Sequence, residues 1–140
     1  MAIWFRDFTL DEINALNEGN LGRHLGIEFT GIGSDTLTAV MPVEGRTKQP
    51  TGLLHGGASL ALAEHIGSVA ANLCVDPKGK TCVGQEINAN HLRGVRSGMV
   101  TGVARPVHLG SRSQVWEIRI SAEDGKLVCI SRLTMAVIDR

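Results

Sequence analysis

The chain has 140 residues, 43% of them hydrophobic and 20% charged; this is enough apolar material for one packed domain and excludes a disordered polypeptide. Its 14 basic and 14 acidic side chains cancel to a formal net charge of zero, so no overall field marks nucleic acid or an anionic membrane as a partner. No apolar run approaches the ~20 residues of a membrane span, and residues 1–7 lack the basic, apolar and small-residue succession of a secretory signal, so a cytoplasmic protein is expected.

In chain order, Thr9 reads as a helix cap, with Glu12 at the capping-box position and Phe8 able to staple onto Ile13. Leu10, Ile13 and Leu16 form the apolar stripe of this short helix, which the Asn17-Glu18-Gly19-Asn20 run ends. Two strand-like segments follow, at 25–29 and 36–43, separated by the turn-rich stretch 31–35; in the second, Leu37, Ala39, Met41 and Val43 share one face. Pro42 and Pro50 bracket a polar loop containing Arg46, Lys48 and Gln49. Gly52-Leu53-Leu54-His55-Gly56-Gly57 leads into the longest helical segment, 58–73, roughly 24 Å in length. Beyond the Asp76-Pro77-Lys78-Gly79 turn, strands are expected near 82–92, 98–107, 111–121 and 126–138, the last two joined by an Asp124-Gly125 hairpin signal. Trp116, Ile118 and Ile120 share a face, and the segment 128–138, apolar on both faces apart from Ser131, Arg132 and Thr134, fits a central strand. The order is one helix, two strands, one long helix, four strands: a single α+β domain over residues 1–140 with a mainly antiparallel sheet.

The long helical segment carries no Lys or Arg and is apolar nearly all round, so it belongs inside the fold. Glu64 is its anomaly, because an isolated carboxylate there is costly. Two readings fit the composition: a helix-edge carboxylate reaching solvent or a distant arginine, and a catalytic base. His55-Gly56-Gly57 stands where the helix begins, with free backbone N–H groups and the positive end of the dipole. That segment reads either as a plain glycine turn or as an oxyanion hole for an acyl carbonyl. Ser68 lies one turn beyond Glu64 on the same face. Glu64 is eight residues past Gly56, about 12 Å along the axis. Both can act on one carbon only if a two-fold dimer brings Glu64 of one chain beside His55 and Gly56 of another. His24, His65, His91 and His108 show no ligand spacing, so no metal is expected, and His65, about 100° round the helix from Glu64, reads as a core or interface histidine. Cys74, Cys82 and Cys129 form no CxxC pair and read as buried free thiols.

Taken together, Met41-Pro42-Val43, Arg46-Thr47-Lys48-Gln49-Pro50, the Gly52-to-Ser59 motif, Leu62-Ala63-Glu64, Ile66-Gly67-Ser68, Ile87-Asn88-Ala89-Asn90-His91 and His108-Leu109-Gly110-Ser111-Arg112 resemble one family over nearly the whole chain. It is that of the bacterial hotdog-fold acyl-CoA thioesterases related to 4-hydroxybenzoyl-CoA thioesterase, and within it the 1,4-dihydroxy-2-naphthoyl-CoA and enterobactin-proofreading group. The resemblance implies a curved antiparallel sheet wrapped around a long central helix, and hydrolysis of acyl-CoA thioesters, aromatic ones foremost. It implies Glu64 as nucleophile or general base, the Gly56 N–H as oxyanion donor, and Gln49 and His55 as groups positioning thioester and water. It implies that Ser68, near that carboxylate, helps to orient water. Gly84, the segment His91, Leu92, Arg93, Gly94 and the loop His108, Leu109, Gly110, Ser111, Arg112, Ser113 match the places where CoA lies. Arg93 and Arg112 suit phosphate by their geometry, or are ordinary surface arginines. No cofactor is implied, CoA being part of the substrate, and a homotetramer built from two dimers is. Thr51, Gln85 and His65 depart from the family's usual Phe, Leu and Ser or Thr, which puts the acyl preference in question at Thr51. A carrier-protein thioester is the alternative substrate; a hydratase and a non-catalytic acyl-CoA binding module are the alternative functions.

Overall fold

In the computed structural model, which describes residues 1–140, Thr9 caps the first helix reciprocally. Its Oγ1 accepts the Glu12 N–H at 3.2 Å while the Glu12 carboxylate accepts the Thr9 N–H at 2.8 Å, closing both halves of the box at the start of α1 (Leu10–Ala15). Ile13 is buried but Leu16, the last residue of the predicted stripe, is half exposed. A second helical turn, α2 (Leu21–His24), is capped by Asn20, whose Oδ1 accepts the Gly22 N–H at 3.1 Å. The sequence gives no periodic signal for so short an element. It ends at Leu25, so the first strand starts later than expected: β1 (Glu28–Ile32) runs through part of the predicted break. A register shift between Phe29 and Gly31 absorbs one residue and lets Gly31 and Ile32 pair with Thr38 and Leu37 of β2 (Leu37–Pro42).

The remaining elements fall where the periodicity places them: α3 (Gly56–Leu73), β3 (Lys80–His91), β4 (Met99–Leu109), β5 (Ser113–Ser121) and β6 (Leu127–Asp139). The six strands form one antiparallel sheet in the order β1-β2-β4-β5-β6-β3. Asp124-Gly125 makes the β5–β6 hairpin, with Gly125 at φ +81° and the Asp124 carboxylate accepting the Lys126 N–H. As expected, β6 is an interior strand, flanked by β5 and β3.

The sheet wraps α3, which packs against β2, β3, β4, β5 and β6. Leu37, Ala39, Met41, Trp116, Ile118 and Ile120 are fully shielded against it, as are Leu62, Ala63, Ile66 and Ala70 of the helix. Gly67 sets the closeness of that contact: a Cβ there would stand 2.5 Å from Leu133 Cδ2. At ~25 cal/mol per Å² of apolar surface, burying side chains of this size stabilises the fold by roughly 1.5–3 kcal/mol each. From Ala58 to Leu73 no residue of the helix is exposed. The N-terminal segment closes one end, Trp4 stacking on Trp116 with ring centroids 6.5 Å apart. β3 is an edge strand of 12 residues whose only partner is β6. No helix is long and apolar enough to cross a membrane.

Candidate active site

His55 begins the site. It is the N-cap of α3, and its ring Nδ1 accepts the Gly57 N–H at 2.8 Å. A nitrogen that accepts carries no proton, so the neutral ring holds its proton on Nε2 and offers it outward. Gly56 occupies the first helical position, where an N–H has no intrahelical acceptor, and its N–H makes no other backbone bond. That free donor lies at the positive end of an 18-residue helix. The His91 ring, at the far end of β3, covers it closely: a Cβ on Gly56 would stand 3.0 Å from His91 Nε2. Only glycine fits without displacing the ring.

Around this point lies a cavity of about 410 Å³ that brings together Gln49, Gly56, His91, Leu92, Arg93 and Gly94. Six residues singled out in the sequence thus share one wall. Gln49 comes from the loop before α3, Gly56 from the helix start, His91 from the end of β3 and the other three from the segment that follows it. The Arg93 guanidinium is paired with Asp124 at 2.9 Å. The Lys126 N–H, and then Arg93, hold the Asp124 carboxyl below its ordinary range. This ion pair fixes the arginine at the cavity rim, a partner the sequence does not reveal.

Glu64 sits elsewhere. It is half-buried in the middle of α3, and no cation pairs with it. Ser68, one turn on, donates its hydroxyl to Glu64 Oε1 at 3.3 Å. The carboxylate presses on the backbone of β3 at Gly84, where a Cβ would come within 2.5 Å of Oε1. A register shift between Gly84 and Glu86 bends the strand at this place. Of the helix-edge readings of Glu64, pairing with a distant arginine therefore does not hold. The neighbouring His65 points the other way, as expected. Its Nε2 meets Asn17 Oδ1 at 2.6 Å, its ring tilts against Phe29 and burial holds its imidazole below the ordinary range.

The two halves are separate within one chain. Glu64 touches Gly84 and Gly56 touches His91, seven residues further along the strand, or about 23 Å of extended chain. The loop from His108 through Leu109, Gly110, Ser111, Arg112 and Ser113 lies at the Gly84 end, because Ser113 pairs with Ala136 and Ala136 with Val83. There the His108 ring folds over Gly110, whose N–H donates to the Ser113 carbonyl at 2.9 Å. The residues matched to CoA thus divide between two ends of the molecule.

A second cavity, about 530 Å³, opens between α1 and α3 beside Ser68. Phe8, Ile13, Leu16, Val69 and Leu73 give it apolar walls, and Arg6 and Arg140 stand among its lining residues. Sequence reading missed it, although the half-exposed Leu16 at the end of an apolar stripe is its visible trace. Thr51 lines neither cavity. The three cysteines are free, and burial pushes the Cys74 thiol up to about 12.

A curved antiparallel sheet around one long helix, carrying an unpaired carboxylate at mid-helix and a free N–H at the helix start, is the hotdog arrangement of a thioester hydrolase. The chain belongs to the thioesterase superfamily, whose family model matches residues 51–129. It is similar to the 1,4-dihydroxy-2-naphthoyl-CoA hydrolase of Escherichia coli K12, with 59% identity over 136 residues covering 97% of this chain and 99% of that one. It is also similar to the proofreading thioesterase EntH of Cronobacter turicensis, with 54% identity over 135 residues covering 96% and 98%. Among solved structures, a mutant thioesterase from Pseudomonas aeruginosa superposes with a TM-score of 0.98 at 53% identity, covering 99% of this chain and 100% of that one. A thioesterase from Haemophilus influenzae gives 0.95, also at 53%, covering 98% and 95%.

Proposed function

We propose that this enzyme hydrolyses acyl-CoA thioesters, aromatic ones foremost, to the free acid and CoA. The observation that carries the reading is Glu64, an unpaired half-buried carboxylate braced by Ser68 in a chain whose relatives are thioester hydrolases. Glu64 attacks the acyl carbon or takes a proton from the attacking water, and the carbonyl electrons move to oxygen. The Gly56 N–H, aided by the helix dipole, stabilises that oxyanion. Its collapse expels the CoA thiolate; after direct attack, water then cleaves the acyl–Glu64 anhydride to release the acid, and after general-base attack the proton held on Glu64 passes to the thiolate. Gln49 and the Nε2–H of His55 position thioester and water, and Ser68 orients the carboxylate. Gly84, His91 to Gly94 and His108 to Ser113 hold CoA, with Arg93 and Arg112 toward phosphate. No cofactor is required.

The distance between Glu64 and Gly56 requires two copies. β3 leaves one long edge open. Antiparallel pairing of two β3 edges about an axis between Ile87 and Asn88 sets Gly84 opposite the partner's His91. Glu64 then faces the partner subunit's Gly56. Two such dimers make the homotetramer that the family resemblance implies, in the cytoplasm. A relative named as a proofreading thioesterase favours a second reading, an aryl carrier protein as the thiol partner.

Thiol release from benzoyl-CoA, a medium-chain acyl-CoA and an aryl carrier-protein thioester tests both. Fastest turnover is expected on the aryl-CoA. Binding of all three without release would contradict hydrolysis, and turnover by a monomer would contradict the shared site.

A further inference from the structure

The loop that supplies Gln49 is a tight turn. The Gly52 N–H donates to the Gln49 carbonyl at 2.9 Å across Pro50 and Thr51, and a bridge between Lys48 and Leu54 closes the neck. Arg96 Nη1 donates to the Thr51 carbonyl at 3.4 Å from outside. Within the turn the Gln49 side chain folds back on Thr51. Its Oε1 accepts the Thr51 N–H at 2.5 Å and the Thr51 hydroxyl at 2.8 Å. A backbone N–H can only donate, so the amide atom facing it is the oxygen, and Nε2 is on the opposite side. Nε2 makes no hydrogen bond within the chain, and Gln49 lines the cavity that holds Gly56 and His91.

We propose that Thr51 is a positioning residue: by engaging Oε1 with its N–H and hydroxyl, it locks the Gln49 amide so that N–H donors, and no acceptor, meet the thioester beside Gly56. The proposal rests on the thioesterase reading and sharpens it. A carbonyl oxygen of the substrate, or the oxygen of the attacking water, can use the donors that Gln49 presents; a water hydrogen finds no acceptor there. A freely rotating amide would spend part of its time with Oε1 toward the substrate carbonyl, two acceptors face to face. Thr51 is exposed, so exchanging its hydroxyl for a methyl leaves the core untouched.

Thiol release from benzoyl-CoA is measured for the wild type, Thr51→Val, Thr51→Ser, Gln49→Ala and the Gln49→Ala/Thr51→Val double variant. Thr51→Val is expected to lower kcat about 3- to 10-fold with little change in KM. That factor corresponds to about 0.6–1.4 kcal/mol, the net contribution of one neutral hydrogen bond. Thr51→Ser keeps the wild-type rate, and Thr51→Val adds nothing once Gln49 is gone. A wild-type kcat in Thr51→Val, an equal loss in Thr51→Ser, or full additivity with Gln49→Ala overturns the proposal. Relaxation of the Gln49 side-chain NH₂ resonance reads the lock without substrate: rigid in wild type and Thr51→Ser, mobile in Thr51→Val. Equal mobility in all three overturns it, whereas a rigid Gln49 in a chain that releases no thiol tells against the thioesterase reading alone.

Discussion

Replacing Gly84 by Ala tests whether the position of the Glu64 carboxylate matters, without touching Glu64 itself. The new Cβ would stand 2.5 Å from Oε1, where ordinary contact begins at 3.4 Å, so the carboxylate must retreat by about 0.9 Å. The cost to the fold is small, because the atom displaced ends a flexible side chain and Gly84 has no positive φ that alanine would strain. Alanine also restores about 0.5–1 kcal/mol of the entropy that glycine forfeits in a strand. The cost to catalysis is large, since a displacement of ~1 Å from the reactive geometry can lower the rate by as much as 10²-fold. Steady-state thiol release should show kcat reduced roughly 10- to 100-fold, while Tm shifts by no more than about 4 °C. A Gly84→Ala enzyme with wild-type kcat would refute the reasoning, because the carboxylate would then tolerate a displacement the proposed chemistry does not allow.

Two further outcomes are expected. His55→Ala removes the cap of α3 and should cost about 1 kcal/mol in urea unfolding. His55→Asn restores a capping oxygen and the stability but presents no N–H where Nε2 stood, so only its activity stays low; recovery of both in the Asn variant would contradict the tautomer argument. Burial lowers the proton affinity of His65 in the folded chain relative to the ordinary value of 6.5. The unfolded chain therefore binds the extra proton first, and stability is lost as pH falls below about 6.5 toward the lower folded value. A neutral His65→Gln chain should lose less stability between pH 7 and pH 5, and identical slopes would contradict this assignment.

The sequence shows most of the fold because alternation and apolar runs report burial directly. Leu37, Ala39 and Met41 alternate and are shielded, as are Trp116, Ile118 and Ile120. Elements too short for a period escape this reading. α2 has four residues and only Asn20 to announce it. The bulge after Phe29 moved β1 because a register shift depends on the partner strand, which composition does not name. The site follows the same division. Glu64, Gly56, His55 and Ser68 are legible because they interrupt an apolar helix or stand at its start. What holds them is not, since Gly84 lies 20 residues from Glu64 and Asp124 lies 31 from Arg93. The link from Thr51 to Gln49 spans only two residues and is still not legible in the sequence, because no pattern says which way an amide turns.

Glu64→Gln isolates the carboxylate with almost no change of shape. Glu64 forms no ion pair, so Tm should stay near the wild-type value. Removing a general base or nucleophile should lower kcat for aryl-CoA thiol release by about 10²- to 10⁴-fold. A Glu64→Gln enzyme that folds and turns over within a few-fold of wild type would contradict Glu64 as the catalytic group.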